Sequence, residues 1–110
     1  MKTDYKIFGN TLIINLGSEL DHHNASMIRE KSDKHIYSGQ IKNIIFDFSN
    51  TDFMDSSGIG VIMGRYKLVG GIGGKVSIVN VNSSINRIFQ ISGLHKVISK
   101  YNNCEEALGK

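Results

Sequence analysis

The densest chemistry in the chain lies in Asp55-Ser56-Ser57-Gly58-Ile59-Gly60, where a carboxylate is followed by two hydroxyls and two spaced glycines. An apolar run, Ile44-Ile45-Phe46-Asp47-Phe48, precedes it and reads as a buried strand. After it, Ile59, Ile62 or Met63, Tyr66 and Val69 recur at helical spacing. Between strand and helix lies a polar elbow, Ser49 to Ser57. A serine just ahead of a helical pattern is an N-cap signal, because its oxygen accepts an orphan backbone N–H. Gly58 and Gly60 would leave the first helical turn bare, so another molecule's backbone could approach closely. A small hydroxyl at a helix N-terminus is a place for a phosphate, since the free N–H groups and the dipole favour negative charge. The simpler alternative is a cap alone, with the glycines present for tight strand–helix packing.

Other constellations are weaker. A serine hydrolase would need Ser56 or Ser57 as nucleophile and a base from His22, His23, His35 or His95. The elbow lacks Gly-x-Ser-x-Gly, with Met54 or Asp55 where the first glycine belongs. His22 and His23 are adjacent on one loop and converge poorly on a single ion, so no metal site is expected. Gly70-Gly71-Ile72-Gly73-Gly74-Lys75 invites a phosphate-loop reading, which fails on Val69, on Val76 and on its helix–loop–strand order. It reads as a turn. A nucleotide module using the helix N-terminus remains a competing reading, with no lysine to close a loop and no acidic residue placed for a ribose.

The elements that must position the elbow can be read along the chain. Tyr5–Phe8 and Thr11–Leu16 flank Gly9-Asn10 and predict a hairpin. Asp21 or Asn24 can cap a helix from Ala25 to about Ser38, with a thin apolar stripe through Ala25, Ile28 and Ile36 and a stop at Gly39. The strand 43–48 is apolar on both faces, as a covered central strand is. Val76–Val81 reads as a strand and Asn82 or Ser83 as the cap of a helix carrying Ile85, Ile88 and Phe89. Gly93 and Leu94 form its C-terminal cap, Val97-Ile98 a last short strand, and Asn103 with Glu106 a capping box for a final helix. The order β-β-α-β-α-β-α-β-α predicts an α/β domain with a mixed sheet and right-handed crossovers.

With 110 residues, the chain has enough material for one core, so residues 1–110 form a single domain. The net charge of +3 comes from scattered residues without a run of five like charges, which argues against direct nucleic-acid binding. No apolar run follows the first residues and none approaches a membrane span, so a cytoplasmic protein is expected. The single cysteine, Cys104, rules out an intrachain disulfide and has no basic cluster nearby, so an inert thiol is expected.

Asp55-Ser56-Ser57-Gly58-Ile59-Gly60, with Phe53-Met54 before it and Gly64-Arg65-Tyr66-Lys67 after it, resembles the signature of the STAS domain. Glu19-Leu20-Asp21-His22-His23 and Ile91-Ser92-Gly93-Leu94 resemble the same family, and more narrowly the anti-sigma F factor antagonists of spore-forming bacteria. General stress-response antagonists share the Asp-Ser/Thr-Gly core. The resemblance covers nearly the whole chain and implies the STAS fold in the element order above. It implies a protein that is not an enzyme and carries no cofactor. Its partners would be an anti-sigma factor with serine kinase activity, holding ATP or ADP, and a serine phosphatase. It implies phosphorylation at Ser56 and a contact surface from Asp55, Ser57, Gly58, Ile59 and Gly60. Asp21 would be a second contact, with His22, His23 and Arg65 as lesser ones.

Overall fold

The computed structural model describes residues 2–109. β1 (Asp4–Phe8) and β2 (Thr11–Asn15) form the expected antiparallel hairpin, turned at Gly9 with φ +62°. β3 (Glu19–Leu20) leads into α1 (His22–Tyr37), then β4 (Asn43–Asp47), β5 (Phe53–Met54) and α2 (Ser56–Gly70). β6 (Val76–Val79), α3 (Ser83–Ser92), a 3₁₀ turn (Leu94–Lys96), β7 (Ser99–Tyr101) and α4 (Cys104–Ala107) complete the chain. The main sheet has the order β1-β2-β4-β6-β7, parallel from β2 onward, so it is mixed as expected.

Successive strands add in one direction, and crossovers of the usual hand then put α1, α2 and α3 on the same face. The side chains of that face, Leu12, Ile14, Ile44, Phe46, Val76 and Ile78, form one core with Ile28, Ile62 and Phe89 from the helices. Phe48 and Phe89 meet edge to face, with centroids 5.7 Å apart. The short α4 lies on the opposite face, where the Cys104 thiol sits 3.8 Å from Asp47 Oδ2. Burial and the Asp47 carboxylate both push that thiol's pKa up, which keeps it a poor nucleophile.

Several expected boundaries move. The last strand is Ser99–Tyr101, because the 3₁₀ turn after Gly93 ends with Ile98 N donating to Leu94 O at 2.9 Å. β6 stops at Val79, before Asn80 turns to φ +56°. Glu106 does not close the expected box on Asn103; its carboxylate accepts from Asn102 N at 3.1 Å, while Asn103 Oδ1 accepts from Glu106 N.

The largest correction concerns α2. Its buried face runs through Gly58, Val61, Ile62, Arg65 and Val69, with Ile59, Met63 and Tyr66 only partly covered. Arg65, expected as a lesser partner contact, is 4% exposed and pairs with Asp33 at 2.8 Å. It also donates to Ser32 Oγ at 3.0 Å and Arg29 O at 3.3 Å, and so joins α2 to α1. Burial lowers its pKa and Asp33 opposes that shift. Arg65→Ala should lower stability by about 2 kcal/mol, less than the ~3–5 kcal/mol of a fully buried broken pair, because Asp33 keeps access to water. Arg65→Lys should recover little, since an ammonium lacks the planar fork that reaches three acceptors. Urea denaturation midpoints of the two variants check both statements.

Candidate functional site

Two short segments carry the site. Glu19↔Phe53 and Leu20↔Met54 pair in parallel, a two-stranded sheet that the sequence reading did not include. Because the pairing is in register, the next residues, Asp21 and Asp55, stand at equivalent positions. Each is the N-cap of the helix that follows. Asp21 Oδ1 accepts from Asn24 N and from Asn24 Nδ2, both at 3.1 Å. Asp55 Oδ1 accepts from Ser57 N at 2.8 Å. The second oxygen, Asp55 Oδ2, receives His22 N at 3.4 Å, and Asp55 N donates to Leu20 O at 3.2 Å. One carboxylate therefore ties the starts of α1 and α2 together. Capping by aspartate satisfies orphan amides and puts negative charge at the favourable end of each dipole.

The expected serine cap is thus corrected. Asp55 fills that role, and Ser56 is the first residue inside α2. Ser56 is exposed, and no described group hydrogen-bonds its hydroxyl. Ser57 and Ile59 are half-buried beside it and Gly60 is exposed, with open space where a Cβ would stand. Gly58 is a second correction. It is buried, and a Cβ there would lie 2.6 Å from Met54 Cγ and 2.8 Å from Leu20 Cγ. Its bareness lets α2 sit down on the small sheet, so it supports the exposed turn from below. His22 and His23 are exposed on the first turn of α1, three residues earlier than that helix was expected to begin.

The elbow is fixed by residues that the motif reading passed over. Thr51 is 2% exposed; its hydroxyl donates to Gly17 O at 2.8 Å and its carbonyl accepts from Asn82 Nδ2 at 3.1 Å. Asp52 N donates to Ser18 O at 2.8 Å. Asn24 Nδ2 reaches back to Glu19 O at 2.8 Å and closes the loop before α1. Glu-Leu-Asp-His-His and Phe-Met-Asp-Ser-Ser both carry an apolar residue, an aspartate and two polar residues in line, too short a likeness to announce their pairing. The assembly is an exposed hydroxyl on a helix-capped ledge, one residue after the capping Asp55 carboxylate. Among the described residues no His, Cys, Asp and Glu gather in a metal-holding group of three, and no helix is long and apolar enough to cross a membrane.

Known proteins share this fold. The sequence profile of the STAS domain matches residues 2–107. The anti-sigma F factor antagonist of Paenibacillus polymyxa is 43% identical over 97 residues, covering 88% of this chain and 83% of its own. The anti-sigma-B factor antagonist of Bacillus subtilis is 31% identical over 98 residues, covering 89% and 88%. The Bacillus cell fate determinant SpoIIAA in its phosphorylated form superposes with a TM-score of 0.80 at 32% identity, covering 98% of this chain and 97% of that one. SpoIIAA in its unphosphorylated form gives 0.83 at 29% identity, covering 98% and 96%. With a matching profile over almost its full length and these relatives, the chain belongs to the STAS domain family.

Proposed function

We propose that this protein is an anti-sigma F factor antagonist whose binding is switched off by phosphorylation of Ser56. The observation that carries the reading is the 43% identity to an anti-sigma F factor antagonist over 88% of the chain. The 31% identity to an anti-sigma-B factor antagonist makes the stress-response branch the second choice. The exposed Ser56 hydroxyl at the start of α2 supports the site within that reading.

In its unmodified state the protein binds an anti-sigma factor that is also a serine kinase, and so frees the sporulation sigma factor. The kinase, loaded with ATP, transfers a phosphoryl group to Ser56 and releases its product; a serine phosphatase restores the hydroxyl. The protein is substrate and ligand in this cycle and catalyses no step. Ser57, Ile59 and Gly60 form the contact around the hydroxyl, with Asp21 and Asp55 as flanking acceptors for a partner's cation. Gly58 contributes by setting the height of the turn.

Intact-mass spectrometry after incubation with the anti-sigma kinase and ATP tests the proposal. One added phosphate on the wild type and none on Ser56→Ala is the expected result. No added mass on a folded chain, with the kinase active on another antagonist, would overturn it.

A further inference from the structure

The outer edge of β7 pairs with no other strand among the described residues, and Ser99, Lys100 and Tyr101 are all exposed there. A cavity of about 440 Å³ opens beneath this edge, between β7, α3 and the 3₁₀ turn. That volume falls within the roughly 300–1,000 Å³ of ligand-holding clefts. Ile78 and Phe89 contribute buried apolar surface to it, and Val97, 44% exposed, adds to the apolar lining. The ionisable lining groups are His95, Lys96, Lys100 and Tyr101, so no carboxylate lines the cavity. Asn86 holds the Lys100 ammonium at 3.0 Å, and His95 Nδ1 lies 3.3 Å from Phe89 O. None of these residues belongs to the Ser56 ledge.

We propose that this edge and cavity form a second docking site, taking an extended acidic peptide segment of a partner protein as an added strand. Unpaired backbone groups on β7 supply the main-chain pairing, and alternate side chains of the guest strand turn down into the cavity. Positive groups on an acid-free rim select glutamate or aspartate at those positions. A second copy of this chain is a poor guest. Self-pairing about Lys100 would set the same lysines opposite one another, and like charges directly across strands are destabilising. A nucleic-acid strand would use the lysines but leave the backbone edge unpaired.

Fluorescence polarisation on the full chain tests this, using a short labelled peptide that alternates glutamate with valine. Saturable binding is expected, weakening as salt rises. Lys96→Glu combined with Lys100→Glu should weaken it by about tenfold or more. Peptides methylated at every second amide, made in both registers, should include one that fails to bind. Ser56→Asp should bind the peptide as the wild type does. Amide shift changes centred on Ser99–Tyr101 of the unmutated chain provide a readout independent of the variants' folding. The proposal is overturned by absence of saturable binding, by equal binding of both methylated peptides, or by tighter binding of a labelled oligothymidine than of the peptide.

Discussion

Ser56→Ala should bind the anti-sigma kinase as the unmodified protein does and stay bound when ATP is added. Phosphorylated wild type should bind at least about 100-fold more weakly. A factor of that size needs about 2.7 kcal/mol. A phosphoserine adds roughly −1.5 to −2 charges where a neutral hydroxyl stood. Ser56 is exposed in the free chain, so the charge is hydrated there and is tolerated at the start of α2. In a close-packed complex the same charge loses its water, and the neighbouring Asp55 carboxylate adds repulsion instead of compensation. The penalty therefore falls on binding and spares the fold. Ser56→Asp should bind with intermediate strength, since one carboxylate carries less charge than phosphate. Titration calorimetry against the kinase with bound nucleotide measures all three. Loss of binding in Ser56→Ala, with retention in Ser56→Asp, would mean that the switch runs the other way.

Gly74→Ala should be the most damaging single methyl addition in the molecule, with a loss of about 3 kcal/mol in unfolding free energy. A Cβ at this position would overlap the carbonyl oxygen of Lys42, 2.8 Å from the carbonyl carbon and 3.0 Å from Val69 Cβ. The obstacle is backbone, so no rotamer change relieves it. The chain would have to shift where β4 and β6 begin to pair, at the contacts Ile44 N to Lys75 O (2.9 Å) and Lys75 N to Asn43 Oδ1 (3.0 Å). Gly64→Ala is the matched control: it sits inside α2 with nothing within 4 Å of the added carbon. There the smaller backbone entropy of the unfolded chain should raise stability by about 0.5–1 kcal/mol. Chemical denaturation of both variants should show opposite signs. Equal effects would remove the close approach as the reason for Gly74.

These two glycines show where the sequence could be read and where it could not. Amphipathic spacing placed α1 and α3 because burial of a repeating face is a local pattern, and continuous apolar runs placed β4 and β6. Asn82, Gly93 and Asn103 were legible as caps for the same reason. Arg65 was not legible as core. Its burial depends on Asp33 and Ser32 on another helix, and no pattern within α2 encodes them. Gly58, Gly64 and Gly74 look alike in sequence, yet one fits against Leu20 and Met54, one faces open space and one passes a carbonyl. Within the site, the Asp-Ser-Ser motif was readable, but the ledge beneath it was not. Two-residue strands carry too little periodicity to announce themselves, and β3 and β5 exist only by pairing with each other. Asp55 as a shared cap for α1 and α2 follows from that pairing and was hidden with it.

The strand order β1-β2-β4-β6-β7 repeats the order of the chain. No strand of the main sheet has to be threaded between two that are already joined. As the polypeptide leaves the ribosome, each new strand meets a neighbour that has already been made, and the sheet grows from one side only. The hairpin β1–β2 is the natural seed, being the pair with the shortest loop. Long-range closure is then divided into steps of one crossover each, which keeps the entropic cost of each step small. Among the described residues β7 is the last strand added, and its outer side stays open.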